Sequence, residues 1–261
     1  MSEEVPVRFD VAGDVATITI DRPHRKNALS VAAANALTDC WARLEEDQSV
    51  KVAILTSSDC GVFSAGLDLK EAAEIRARDG VDILTLMADP MHDAMRAVTK
   101  PIIAAMTGSL MAGGMLLALQ ADLRVGLKGT QVGITEVKVG RGSPWATPLL
   151  WMLPQPILME LVLTGELMPI ERLASYGFVN YVEDTPDAVR ARAAELAAKI
   201  CGGAPLSVKA AKASVGATMD LGRNEGLLEA KRLHEAVYAS LDAIEGPRAF
   251  AEKRQPVWQG K

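Results

Sequence analysis

Residues 63–69 read FSAGLDL and residues 108–114 read GSLMAGG, and these two glycine-rich stretches decide the fold. Each follows a short apolar run that predicts a buried strand, at 52–55 and at 102–106. Each also precedes a stretch with helical periodicity. Two strand–turn–helix junctions of this kind can direct backbone N–H groups from both turns at one point. Such a point is an oxyanion hole, which stabilises negative charge on a reacting oxygen.

Length and composition favour an α/β fold. A chain of 261 residues, of which 49% are apolar, is long enough for one large core with or without an appended segment. Aromatic residues make up only 4%, which favours close helix–sheet layers over an all-β sandwich. Strands and helices alternate to about residue 185 and helices follow. We therefore expect a core over 1–200 and a helical region over 201–261, which either caps the core or packs on a neighbouring subunit.

Charge and cysteine content exclude several classes of function. The net charge of −5 disfavours a nucleic-acid partner, because phosphate binding needs a basic surface. No run of 18 apolar residues is present, so no membrane span is expected, and the acidic start Met1–Glu4 has no apolar signal-peptide region. The cysteines are odd in number and widely spaced, at Cys40, Cys60 and Cys201. They predict a reducing, cytoplasmic setting without disulfides or a cysteine-type zinc site.

Periodicity and turn residues predict the local elements. A β-hairpin is expected over 7–20, with a Gly-Asp turn at its centre. Ser30 is a suitable N-cap for a helix that runs to about Glu46. Two further helices are predicted over 67–78 and 81–98.

Three other kinds of site find little support in the residues. Neither glycine turn matches the Gly-x-Gly-x-x-Gly or Gly-Lys-Ser/Thr patterns of nucleotide sites. A hydrolase triad lacks a Gly-x-Ser-x-Gly elbow, and the histidines His24, His92 and His234 lie in a loop and in helical stretches. Metal-ligand spacings of histidine or cysteine are absent, so no metal is predicted.

Glu136 is the candidate general base. It lies between Ile134 and Val137, and burial there would raise the pKa of its carboxyl towards neutrality, which suits proton abstraction. From the residues alone, a solvated glutamate or an ion pair with Lys138 is the simpler interpretation.

Four motifs in a fixed order make the chain resemble the crotonase, or enoyl-CoA hydratase/isomerase, superfamily over nearly its whole length. They are RP at 22–23 with NAL at 27–29, FSAGLDLK at 63–70, KPIIAA at 100–105 leading to Gly113-Gly114, and EGPRAFAEKR at 245–254. The resemblance implies an α/β fold, a crotonase-like spiral of ββα units with a C-terminal helical trimerisation region. It implies a homotrimer or a hexamer made as a dimer of trimers.

The resemblance also implies an acyl-CoA thioester substrate, with coenzyme A as part of the substrate and no permanently bound cofactor. The implied oxyanion donors are the backbone N–H groups of Leu67 and Gly113. An acidic protein can bind anionic CoA where its local charge is positive. The implied CoA contacts are Arg25, Lys26, Ala28, Ala65, Leu67, Asp68, Leu69, Lys70 and, from a neighbouring subunit, Phe250 and Lys253.

One departure from the family pattern bears on the reaction. Hydratases that the chain resembles use two glutamates, and Glu136 falls at the position of the second. The first would fall three residues after Gly113, where this chain has Leu116, which cannot activate water. The residues thus favour double-bond isomerisation by one carboxylate. Three alternatives remain: hydration, thioester hydrolysis, and a role as a CoA-binding or scaffold protein with degenerate catalysis. Some relatives in the superfamily bind RNA.

The loop at 140–145 also departs from the usual hydratase loop. Its side chains Arg141 and Trp145, together with Leu116, are predicted to line the acyl pocket. A surface guanidinium and a packed indole are equally good interpretations of Arg141 and Trp145.

Overall fold

A computed structural model describes residues 5–261, so the acidic start Met1–Glu4 lies outside the described residues. The strands are β1 (Val7–Ala12), β2 (Val15–Ile20), β3 (Val52–Ser57), β4 (Val62–Ser64), β5 (Ile102–Met106), β6 (Ser109–Met111), β7 (Leu123–Leu127), β8 (Gln131–Gly133), β9 (Met168–Pro169) and β10 (Tyr181–Glu183). The helices are α1 (Val31–Glu46), α2 (Leu69–Asp79), α3 (Gly113–Gln120), α4 (Gln155–Thr164), α5 (Ile170–Ser175), α6 (Pro186–Cys201), α7 (Pro205–Leu221), α8 (Arg223–Leu233), α9 (Glu235–Tyr238) and α10 (Leu241–Ala251).

Two sheets organise the core. The larger has the order β1-β2-β3-β5-β7-β10 and is parallel except for the hairpin β1–β2. The smaller has the order β4-β6-β8-β9, with β9 antiparallel to β8. The chain passes from the larger to the smaller sheet in succession at β3–β4, β5–β6 and β7–β8, and α2 and α3 follow the first two passages. This confirms the predicted α/β spiral of ββα units.

Strand β3 shows how the larger sheet is buried on both faces. Its side chains alternate, as in any strand, so that Ala53 and Leu55 join the main core while Val52 and Ile54 join a second core beneath α6. Parallel sheets covered on both faces have this continuous apolar pattern. The apolar run that predicted a buried strand therefore belongs to the centre of the sheet.

The predicted start of α1 is confirmed. Ser30 is its N-cap, and the Ser30 hydroxyl accepts a hydrogen bond of 3.1 Å from the Ala33 N–H. The face that carries Leu37, Trp41 and Leu44 is fully buried. Capping and apolar periodicity therefore agree over the whole helix.

The helix predicted over 81–98 is wrong. Instead, Asp82 caps a short 3-10 turn at Ile83–Thr85, and Asp89 caps a π-helical turn at Pro90–Met95. Two capping aspartates and a proline, which cannot donate a helical hydrogen bond, divide the segment into short pieces. The divided segment forms one wall of the cavity described below.

Two further features concern membrane-spanning helices and the cysteine thiols. Within residues 5–261, no helix combines the length and apolar character needed to cross a bilayer. The cysteines Cys40, Cys60 and Cys201 are free thiols, of which Cys40 is buried and Cys60 exposed.

The C-terminal tail is held on α10 by a buried carboxylate. Arg254 donates to both Glu245 oxygens, at 2.6 and 2.9 Å, and the Val257 N–H donates to Oε1 at 2.9 Å. Arg248 adds a bond of 2.8 Å. The hydrogen bonds from Arg254, above all, lower the pKa of Glu245 from 4.5 to about 2.

We expect Glu245→Gln to lower the midpoint of thermal unfolding at neutral pH, because the fold stabilises the carboxylate. A carboxyl whose pKa is depressed stabilises the fold above its unfolded pKa of 4.5, and that contribution is lost as the pH falls through about 2. The difference between wild type and variant should therefore shrink on acidification, as followed by circular dichroism. Glu252→Gln is the control, since Glu252 pairs with the same Arg254 but its side chain is 52% exposed. A difference that stays constant down to the acid end would contradict the assignment.

Candidate active site

The two glycine turns lie side by side. Strands β4 and β6 are parallel neighbours, so the turns that follow them leave the same edge of the smaller sheet. A Cβ placed on Gly66 would lie 2.8 Å from the Gly113 nitrogen, and Gly66 has a φ of +81°. Ala112 adopts φ 49° and ψ −120°, a strained conformation for a residue with a side chain. Strain and close approach together fix the direction of the Gly113 N–H.

The amides of Leu67 and Gly113 are two turn donors without a partner. Within residues 5–261, neither N–H donates a hydrogen bond to another group of the chain. One neighbouring amide of each is occupied: the Asp68 N–H donates to the Leu29 carbonyl, and the Ala112 N–H donates to the Gly133 carbonyl. Gly113 is also the first residue of α3, where unpaired N–H groups carry partial positive charge. Both free donors belong to residues that line one cavity.

That cavity has a volume of about 1160 Å³ and a mainly apolar lining. It lies between the glycine turns, the divided segment after α2 and the loop after β8. Its lining residues are Leu29, Ala65, Leu67, Leu69, Asp82, Leu84, Met87, Ala88, Asp89, Pro90, Met91, His92, Ala112, Gly113, Leu116, Thr135, Glu136, Lys138, Val139, Gly140, Arg141, Gly142, Pro144, Trp145, Thr147 and Pro148.

Glu136 is a buried carboxylate in this wall. It begins a 3-10 turn at Glu136–Val139 and is only 9% exposed. The Trp145 Nε1–H donates to Glu136 Oε1 at 3.0 Å, whereas Oε2 has no hydrogen-bond partner within residues 5–261. Burial raises the pKa of Glu136 above its usual value, against the opposing effect of the hydrogen bonds it accepts. The simpler interpretations, a solvated glutamate or an ion pair with Lys138, do not fit this geometry, because Lys138 pairs with Glu166.

Other ionisable side chains of the wall lie close to partners. Arg141 and Asp82 form an ion pair of 2.9 Å, and His92 Nδ1 lies 3.5 Å from an Asp89 oxygen. Among the cavity carboxylates that the structure describes, Glu136 is the one with no arginine, lysine or histidine within ion-pair distance.

The segments predicted to contact CoA also lie together. The Ala65 N–H donates to the Lys26 carbonyl at 3.1 Å, and the Leu29 N–H donates to the Gly66 carbonyl at 2.7 Å. Asp68 is 4% exposed and pairs with Arg22 at 3.2 Å. Its carboxylate is therefore engaged in holding the two segments together.

The structure brings the predicted site residues together only in part. Those that line the cavity are Ala65, Leu67, Leu69, Gly113, Leu116, Glu136, Arg141 and Trp145. Those outside its lining are Arg25, Lys26, Ala28, Asp68, Lys70, Phe250 and Lys253. The roles of both groups stay predictions.

Sequence reasoning missed one wall of the cavity. Met87, Met91 and His92 line it, although the pattern assigned them to a continuous helix. The signal that would have found them is the Asp89-Pro90 pair, which marks a capped helix start rather than a helix interior.

The chain is similar to known proteins over nearly its whole length. Residues 10–261 match the model of the enoyl-CoA hydratase/isomerase family. The chain is 34% identical to (E)-benzylidenesuccinyl-CoA hydratase of Thauera aromatica, over 98% of this chain and 100% of the relative. It is 35% identical to carnitinyl-CoA dehydratase of Salmonella typhimurium, over 95% and 96% of the two chains. The crystal structure of enoyl-CoA hydratase from Mycobacterium tuberculosis H37Rv superposes with a TM-score of 0.87 at 36% identity, over 99% of this chain and 100% of that one. The chain therefore belongs to the enoyl-CoA hydratase/isomerase family of the crotonase superfamily and is an acyl-CoA enzyme of that family.

Proposed function

We propose that this enzyme moves a double bond within an acyl-CoA thioester, with Glu136 as the acid/base. The observation that carries the proposal is that Glu136 is a cavity carboxylate without an ion-pair partner among the described residues, while Leu116 of α3 lines the same cavity. Leu116 is 4% exposed and cannot orient or deprotonate water. One carboxylate suffices to take a proton from one carbon and return it to another.

The reaction begins when Glu136 removes a proton from a carbon activated by the thioester carbonyl. Negative charge then develops on the thioester oxygen, where the N–H groups of Leu67 and Gly113 stabilise it by donating hydrogen bonds. These donors bind the enolate more strongly than the ground state, which is the condition for catalysis. Each donor of this kind typically lowers the barrier by about 2.7–4 kcal/mol. Glu136, now a carboxylic acid, returns the proton to the other end of the delocalised system.

The test is incubation with 2-enoyl-CoA and 3-enoyl-CoA, followed by mass spectrometry of the products. Isomerisation leaves the mass unchanged and shifts the double bond. Hydration adds the mass of one water. Rapid hydration of 2-enoyl-CoA without isomerisation would overturn the proposal.

Hydration or its reverse is the second candidate. It is favoured by the names of two relatives, a hydratase and a dehydratase, each at least 34% identical to this chain. In that case Glu136 must both activate water and protonate carbon, since Leu116 supplies neither function.

We expect Leu116→Glu to raise hydration relative to isomerisation by about tenfold, because a second carboxylate would then face the cavity and general-base catalysis is worth at least that much. The ratio of the two products measures the effect. Leu116→Gln is the matched control, since glutamine has nearly the same shape as glutamate but cannot act as a base. An equal rise in both variants would show that cavity polarity, rather than a second base, is responsible.

We further propose that the chain acts as a trimer or as a hexamer of two trimers. The support is a set of exposed apolar side chains on the C-terminal helices, with Phe250 86% and Ile244 66% exposed. In such an assembly Phe250 and Lys253 would approach the CoA of a neighbouring subunit. Light scattering of the purified protein tests the assembly.

A further inference from the structure

The loop that follows β8 folds back over Glu136. Gly140 has a φ of +67°, and the N–H groups of both Gly140 and Arg141 donate to the Glu136 carbonyl. The chain then enters a second 3-10 helix at Pro144–Trp151. This reversal places Trp145 against the side chain of Glu136.

The contact between the two side chains is specific. The indole N–H of Trp145 donates to Glu136 Oε1 at 3.0 Å, and an indole has no acceptor that a protonated carboxyl could use instead. Oε2 is left without a partner within residues 5–261. The two oxygens of one carboxylate are therefore in different environments.

We propose that Trp145 is the positioning residue of Glu136: its N–H holds Oε1 and so fixes the orientation of the carboxylate that takes and returns the proton. This inference rests on the proposed function, because it requires that Glu136 transfers protons. It assigns to Trp145 a role in the reaction beyond lining the acyl pocket.

The same bond ties the protonation of Glu136 to Trp145. A carboxylate accepts the indole N–H more strongly than a neutral carboxyl does, so the bond lowers the pKa of Glu136 while burial raises it. On the neighbouring elements, Arg141 pairs with Asp82 and Lys138 with Glu166, and His92 Nδ1 lies 3.5 Å from an Asp89 oxygen. Loss of the indole N–H should therefore shift the titration of Glu136 without disturbing another charge.

The backbone around Trp145 does not depend on this bond. Ala146 and Leu149 of the same 3-10 helix are buried and anchor it in the main core. The Trp145 ring is half-buried against that core, so a phenyl ring retains most of the packing.

The experiment compares the pH dependence of kcat for wild type and Trp145→Phe. Because the carboxylate is the active form, kcat rises with pH through the pKa of Glu136. In the variant we expect this acid limb to move up by about one pH unit, so that kcat falls about tenfold on the limb while KM changes little. Trp151→Phe is the control, since Trp151 belongs to the same 3-10 helix, is 67% exposed and lies outside the cavity lining.

A second measurement does not need the Trp145 variant to fold. Tryptophan fluorescence of the wild type should titrate with the acid limb of kcat, and this titration should be absent in Glu136→Gln. An unchanged limb in folded Trp145→Phe, or fluorescence that titrates identically in Glu136→Gln, overturns the inference. If the wild type turns over no acyl-CoA thioester, it is the proposed function that fails.

Discussion

Glu136→Gln should lower kcat by about a thousandfold, within the range that acid/base groups contribute, while binding of the acyl-CoA thioester persists. The glutamine amide has the same shape and its oxygen still accepts the Trp145 N–H, but it cannot take a proton. The substitution leaves the cavity and the two proposed oxyanion donors unchanged. The rate is measured with the substrate that the product analysis identifies, and binding by isothermal titration calorimetry.

The matched control is Glu166→Gln. Its side chain is 72% exposed, lies outside the cavity lining and pairs with Lys138. Removing that carboxylate should leave kcat near wild type, as exposed ion pairs contribute little. Retained turnover in Glu136→Gln would exclude this residue as the acid/base.

Gly66→Ala should be nearly as damaging to kcat. The added Cβ would lie 2.8 Å from the Gly113 nitrogen and 2.9 Å from the Met111 carbonyl oxygen, distances at which backbone must shift. The shift displaces the two turns whose N–H groups are the proposed oxyanion donors. Loss of one oxyanion donor typically lowers kcat by about 10²–10³-fold. Steady-state kinetics and thermal unfolding together measure the effect.

Gly80→Ala is the control that separates the effect of a steric clash from the effect of a strained backbone conformation. Gly80 ends α2 with a φ of +72°, close to that of Gly66, but a Cβ there would meet nothing within 4 Å. It should therefore show only the cost of a left-handed alanine, about 1–2 kcal/mol of stability, with kcat unchanged. Equal losses of kcat in the two variants would argue that general destabilisation, rather than displaced amides, is responsible.

The fold was predictable where a local pattern and burial agree. The apolar run of β3 and the capped, periodic α1 both carry their structure in adjacent residues, and both are found as expected. The resemblance to a known family supplied the order of the ββα units, which no local pattern contains. The segment 81–98 failed because its apolar spacing suits a helix while Asp82 and Asp89 favour short capped turns.

The site was less predictable than the fold, because its contacts join residues that no periodicity relates. The Trp145–Glu136 hydrogen bond spans nine residues of a loop, and the Arg141–Asp82 ion pair spans 59. The pairing of Asp68 with Arg22 depends likewise on two segments that meet only in the folded chain. Residue types indicated which chemistry was possible, whereas the choice between a solvated and a buried Glu136 required the neighbours of its carboxylate.

The two amide donors come from successive passages between the sheets, whereas the acyl cavity is walled by the irregular stretches at 82–92 and 140–148. In the proposed mechanism, the part that stabilises charge is thus made of backbone amides, and the part that contacts the acyl group is made of connecting segments. Variation in those segments can change the accepted substrate without rebuilding the element that lowers the barrier. A family with this division of labour can diversify its substrates while the enolate chemistry stays the same.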